Sequence, residues 1–235
     1  MTPKTAILAA IALASCTFVT TPPAQAQTQP TSSEVAAFTG LHAAAARGDL
    51  TEIRRLLTTG TAINARDAKG RTALHIAAFQ SQPEAARALI AAGIDHALLD
   101  SERYDAVTIA AVRDDVPTLS ALLASGASAK LTTSIYDGTA LIAAAHLGND
   151  GVVQALIDAG APLDHVNNLG WTALIEAVIL GNGGPRHQNC VASLLRAGAD
   201  RRIADRGGVT PEEHARRRTY TEILALFAAI PPKAR

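Results

Sequence analysis

The side chains best able to do chemistry are seven histidines and two cysteines. His42, His75, His96, His146, His165, His187 and His214 are scattered, with no His-x-x-x-His pair to share one helical face. The spacing that holds zinc on a helix is therefore missing. Cys190 sits between Asn189 and Val191 at an apolar helical position, which suits a buried, inert thiol better than a nucleophile. Gly183-Gly184-Pro185 lacks the spaced glycines and the Lys-Ser/Thr of a phosphate loop, and it follows a helical pattern where a strand is needed. It reads as a lengthened turn. No Gly-x-Ser-x-Gly elbow occurs. Asp114 with Asp115, and Glu212 with Glu213, read as solvated charges at turns and helix starts, where the positive end of the helix dipole favours them. The chain is expected not to be an enzyme and to hold neither a metal nor a cofactor.

The elements that position these residues are helical. Hydrophobic residues make up 48% of the chain and aromatics only 3%. A core rich in Ala and Leu suits closely packed small helices better than sheets, which favour β-branched and aromatic residues. Lys and Arg number 21, as do Asp and Glu, so no whole-chain field attracts nucleic acid or an anionic membrane. Arg201, Arg202, Arg206, Arg216, Arg217 and Arg218 concentrate charge near the C-terminal end, where a solvated cap is the expected role.

Residues 1–26 read as a signal peptide. Lys4 opens it, a mostly apolar run spans Ala6 to Val19, Pro22 and Pro23 break the run, and Ala24-Gln25-Ala26 offers the cleavage site. The run is shorter than the ~20 residues that cross a bilayer, so no transmembrane helix is expected in the mature chain. Export to the periplasm follows. Leu13-Ala14-Ser15-Cys16 is similar to a bacterial lipobox, and a lipid anchor at Cys16 on the outer membrane stays open as the alternative. Cleavage after Ala26 leaves Cys190 as the single cysteine, which cannot form an internal disulfide. Residues 27–35 are polar and read as a flexible linker.

From residue 36 the chain repeats itself. Thr72-Ala73-Leu74-His75-Ile76-Ala77 is echoed at Thr39, Asp105, Thr139, Thr172 and Thr210, with start-to-start spacings of 33, 33, 34, 33 and 38. A second mark keeps the beat: a Leu-Leu or Leu-Ile pair precedes Gly60, Gly93, Gly126, Gly160 and Gly198. Thr or Asp at each motif start can cap a first helix. Apolar residues at helical spacing, such as Ile53, Leu56 and Leu57, follow on a second. The glycines end it where the chain must take positive φ. No unit buries its apolar face alone, so each depends on its neighbours.

The motif and its period resemble the ankyrin repeat family, in which Thr-Pro-Leu-His-x-Ala recurs every 33 residues. Later repeats look like a bacterial subgroup with a Gly-Gly-Pro-Arg-His insertion. Ala mostly replaces Pro here, and His is lost from the third to fifth motifs. The resemblance implies an all-α solenoid over 36–232, with about six helix–turn–helix units and projecting loops or short β-hairpins. The units fall at about 36–67, 68–100, 101–133, 134–167, 168–205 and 206–232. It also implies that His42 and His75 hold neighbouring loops by hydrogen bonds, and that a protein partner binds the concave face made by loop tips ("fingers") and inner helices. Aligned on that basis, the finger residues are Arg71, Tyr104, Tyr136 and Trp171. Those on the inner helices are Phe79, Gln80, Val112, Arg113, His146, Leu147, Ile179 and Leu180. Trp171 and Tyr104 either anchor the partner or pack the fingers together; the sequence leaves both open. An inhibitor or immunity protein for a toxin is a narrower form of the same reading.

Overall fold

The computed structural model describes residues 28–233. The expected signal peptide and Cys16 lie outside the described residues.

The stretch expected as a polar linker runs into a helix, α1 (Ser32–Ala37), that takes in its last residues. Its cause is local. Thr31 accepts from the Glu34 N–H at 3.2 Å, and Glu34 reaches back to the Thr31 N–H at 2.9 Å. This reciprocal capping box satisfies two backbone donors that a six-residue helix would otherwise leave bare.

Six helix pairs follow. The inner helices are α2 (Gly40–Arg47), α4 (Ala73–Phe79), α6 (Ala106–Val112), α8 (Ala140–Leu147), α10 (Ala173–Ile179) and α12 (Pro211–Arg217). The outer helices are α3 (Leu50–Thr58), α5 (Pro83–Ala91), α7 (Val116–Ala124), α9 (Asp150–Asp158), α11 (Pro185–Ala197) and α13 (Thr221–Ala229). Each inner helix packs on its own outer helix and on the inner helix of the next unit, and the outer helices pack in series. Ala44, Ala45, Ala77, Ala78, Ala110, Ala111, Ala144 and Ala145 are fully buried. Their small side chains let the inner helices approach closely. Ile53, Leu89, Leu122, Leu156 and Leu194 fill the seam beneath them, each contributing roughly 1.5–3 kcal/mol by burial. The glycines that end the outer helices take φ of +76° to +102°, as their place in the repeat requires.

Two local features decide how the units join. The fourth finger is the one described finger that forms a hairpin, β1 (Thr132–Thr133) with β2 (Gly138–Thr139), antiparallel, with Thr132 opposite Thr139. The extra residues 182–186 do more than lengthen a turn. Asn182 accepts from the Gly184 N–H at 2.9 Å, and Pro185 opens α11, which runs 13 residues where the other outer helices run nine. Proline fits there because the first helical N–H has no partner to lose.

Candidate functional site

The fingers are built by one device. In the second, third, fifth and sixth, the first side chain closes the loop on itself: Asp67 accepts from the Lys69 and Arg71 N–H groups, Asp100 from Glu102 and Tyr104, Asn167 from Leu169 and Trp171, Asp205 from Gly207 and Val209, all at 2.8–2.9 Å or, for Asn167, 3.0 Å. An Asp or Asn side chain turning the backbone in this way leaves the middle of each finger free to project. The sequence carries this signal as Asp/Asn-x-x-x-x-Thr/Asp ahead of the second, third, fifth and sixth motifs. Aligning only the residue just before the motif misses it.

Neighbouring units are tied through these loops. His42 Nε2 lies 2.9 Å from the Arg71 carbonyl and His75 Nε2 3.0 Å from that of Tyr104. His75 Nδ1 accepts from the Thr72 N–H at 3.1 Å, so its Nε2 carries the proton and donates. Burial holds this imidazole neutral, with its pKa down at about 4. Thr108 takes the histidine's place in unit three and meets the Thr133 hydroxyl at 3.1 Å. In unit four the tie comes from the fingers: His165 Nε2 to the Asp137 carbonyl at 2.6 Å, and Asn168 to the carbonyls of Ile135 and Tyr136 at 2.9 Å. The inserted residues add a brace. His187 reaches the His146 carbonyl at 3.1 Å, and Arg186 reaches Asp150 and, across two units, Asp114 at 2.6 Å.

Placed on this frame, the expected partner-binding residues divide. Phe79 is 2% exposed and belongs to the core. It ends α4, and its ring joins the hydrophobic core because a large apolar side chain at that position gains more from burial than from exposure. Arg71 is 3% exposed. It is covered from the N-terminal side by Glu34 and Phe38 and paired with Asp67 at 2.7 Å. Neither offers its side chain to a partner as the chain stands. Gln80, Tyr104, Val112, Arg113, Tyr136, His146, Trp171 and Ile179 are half-buried. Tyr104 packs against the core, which raises its phenol pKa. Leu147 and Leu180 are exposed.

The exposed large apolar side chains among the described residues are Ile135, Leu147, Val166, Leu169 and Leu180. All five fall in units four and five. Ile135, Val166 and Leu169 were missed by sequence reasoning because they sit inside the fingers rather than just before the motif. Beneath them lies a polar pair. Glu176, 3% exposed, accepts from Asn167 at 3.0 Å and meets His146 Nδ1 at 3.2 Å. Unit six answers with His214 against Asp205 at 2.7 Å. Asparagine in place of aspartate at 167 fits its partner, since two carboxylates would repel. Cys190 is fully buried and its thiol is pushed up to about 12 by that burial, which leaves no thiolate at neutral pH. Among the described residues no cluster of three metal-ligating side chains occurs, and no helix is long and apolar enough to cross a membrane.

Comparison with known proteins settles what this arrangement of fingers and helix pairs is. The family model of ankyrin repeats, in three copies, matches residues 21–100 and 107–205. The chain belongs to the ankyrin repeat family. An ankyrin repeat domain from Acinetobacter baumannii AYE is 44% identical, with a TM-score of 0.76 over 82% of this chain and 98% of that one. YahD of Escherichia coli (strain K12), named as an ankyrin repeat protein, is 36% identical over 95 residues, 40% of this chain. The match spans 47% of YahD, about half of that relative's length. A chain from the complex of a predatory endopeptidase of Bdellovibrio bacteriovorus with an immunity protein is 22% identical at a TM-score of 0.67, over 82% of this chain and 98% of that one. At that identity the likeness shows the fold alone. Ankyrin repeats are protein–protein interaction modules, and the fold is typically a non-enzymatic scaffold. The helix pairs, packed in series, form an all-α ankyrin solenoid.

Proposed function

We propose that this ankyrin repeat protein is exported and binds a periplasmic or extracellular protein through the finger and inner-helix face of units four and five. One observation carries the site: Ile135, Leu147, Val166, Leu169 and Leu180 are all exposed in these two units, with Tyr136 and Trp171 half-buried on their fingers. Contiguous apolar surface on a monomer marks an interaction site, and aromatic anchors at its centre carry much of the binding energy. This is narrower than the face over units two to five that the motif alignment implies. Export is supported by the positive, apolar and Ala-x-Ala pattern of residues 1–26.

A photo-crosslinking residue at position 169 in living cells tests the site, with position 54 on outer helix α3 as the control. One dominant protein adduct from 169, absent from 54 and lost on Leu180→Asp, is the expected result. Equal adducts from both positions, or an adduct that survives Leu180→Asp, would remove the site from these units. Intact mass of the purified protein tests export: a chain beginning at Gln27 is expected. A membrane-held form that Cys16→Ser releases would replace it with the lipid-anchored scaffold.

A further inference from the structure

The face of units one to three is not open. Residues 28–38 cross it in the direction opposite to the order of the units. The Thr28 N–H donates to Glu102 on the third finger at 3.0 Å, and Arg113 at the end of α6 donates to the Gln29 side-chain oxygen at 2.8 Å. Pro30 is buried. Glu34 then pairs with Lys69 at 2.9 Å and Arg71 at 3.2 Å on the second finger. The Arg71 guanidinium lies 5.4 Å over the Phe38 ring. These contacts fall on fingers and an inner-helix end, the positions from which this family is expected to grip a partner. Yet α1 itself has no buried residue: Val35 and Phe38 pack half-buried against the core, and the remaining hold comes from polar bonds, most of them exposed.

Both arginines are under-used. Arg71 Nη1 and Arg113 Nε are buried donors with no acceptor, although an unmet buried donor is costly. Gln29 meets Arg113 through a single amide oxygen. A carboxylate in that place could take two parallel bonds from the same guanidinium. The strap therefore fits its own seat less well than a more acidic segment would.

We propose that residues 28–38 are a displaceable strap occupying a peptide site on units one to three, and that its replacement is an extended partner segment with two carboxylates five residues apart. One carboxylate sits between Lys69 and Arg71 as Glu34 does, and the other chelates Arg113 where Gln29 now stands. The site is separate from the apolar strip of units four and five, so either can fail without the other.

The purified protein and its Glu34→Lys variant are titrated with a fluorescent peptide of residues 27–38, read by anisotropy. Glu34→Lys frees the seat, and the variant is expected to bind the peptide at least tenfold more tightly than the wild type. A Gln29→Glu peptide should bind at least threefold more tightly still, and Arg113→Ala in the variant should cancel that preference. Hydrogen exchange gives the second reading: amides of residues 33–38 should exchange at least tenfold faster in Glu34→Lys, with those of α4 and α6 unchanged. No peptide binding by the variant, equal affinity for the two peptides, or strap amides that exchange only with the whole domain would each overturn the proposal. In the last case the segment is a fixed cap. Crosslinking from position 169 should be the same in wild type and variant.

Discussion

At the fourth position of the repeat motif, units two and three carry His75 and Thr108, and units four and five carry Ile142 and Ile175. In the first pair the side chain crosses inside the stack to the next finger, as His75 does to the Tyr104 carbonyl and Thr108 to Thr133. An isoleucine has nothing to donate. The later fingers rely on finger-to-finger bonds, His165 to Asp137 and Asn168 to Ile135 and Tyr136, of the kind the earlier fingers also make from Ser101 to Lys69 and from Ser134 to Arg103. These bonds end on backbone carbonyls, and the side chains of Ile135 and Leu169 are exposed. The earlier half is polar on the same face and is covered by the strap, and the later half is apolar and bare. The inner tie is thus missing from the same two units that leave large apolar side chains exposed.

The largest test of that contrast is pH. His75 is buried neutral, with its pKa near 4 against 6.5 for a free imidazole. The unfolded chain takes up the proton first. The stability that His75 contributes is complete above pH 6.5, falls as the pH drops toward 4 and is flat below. Urea denaturation at pH 7 and at pH 4 should show the wild type losing about 3 kcal/mol more than His75→Thr, a substitution that copies unit three. An equal loss in both proteins would place the acid sensitivity elsewhere.

A charge placed on the bare half comes next. Leu169→Asp and Leu180→Asp should each weaken partner binding by about 2 kcal/mol, with unfolding free energy within about 0.5 kcal/mol of wild type. Gln80→Asp, at the matching helix end in unit two, should leave affinity unchanged. If it weakens binding as much as the leucine changes do, the two halves form one site.

The smallest effects come from the fourth residue of the finger turn, where φ is +66° at Arg103 and +86° at Gly170. A non-glycine residue in this region carries a cost of about 1–2 kcal/mol. A Cβ at Gly170 would also stand 2.6 Å from Arg206 Cγ, where the sixth finger lies against the fifth. Gly170→Ala should therefore destabilise by at least the conformational cost. Arg103→Gly should stabilise by at most about 1 kcal/mol, since the flexibility of glycine in the unfolded chain offsets part of the relief. Thermal denaturation of both variants reads the opposite signs directly.

Much of this was legible in the residues. The two repeating marks, a Thr or Asp in all six units and a Gly in the first five, place the helix pairs, because capping and positive φ are properties of single residues in their local chain. Cys190 read as buried and inert from its apolar helical position. The misreadings share a different cause. Phe79 and Leu147 both fall in the last positions of an inner helix, yet one is in the core and the other is 45% exposed. A polar segment without periodicity read as a linker, although Glu34, Gln29 and Thr28 find their partners up to 84 residues away.

By itself the sequence determined the repeat, the number of units and the all-α stack, since these follow from short-range patterns counted along the chain. Only the tertiary structure decided which half of the face is closed and which is bare. That outcome depends on side chains from different units meeting across the stack, and burial and pairing at such distances are set by packing, which no local pattern encodes.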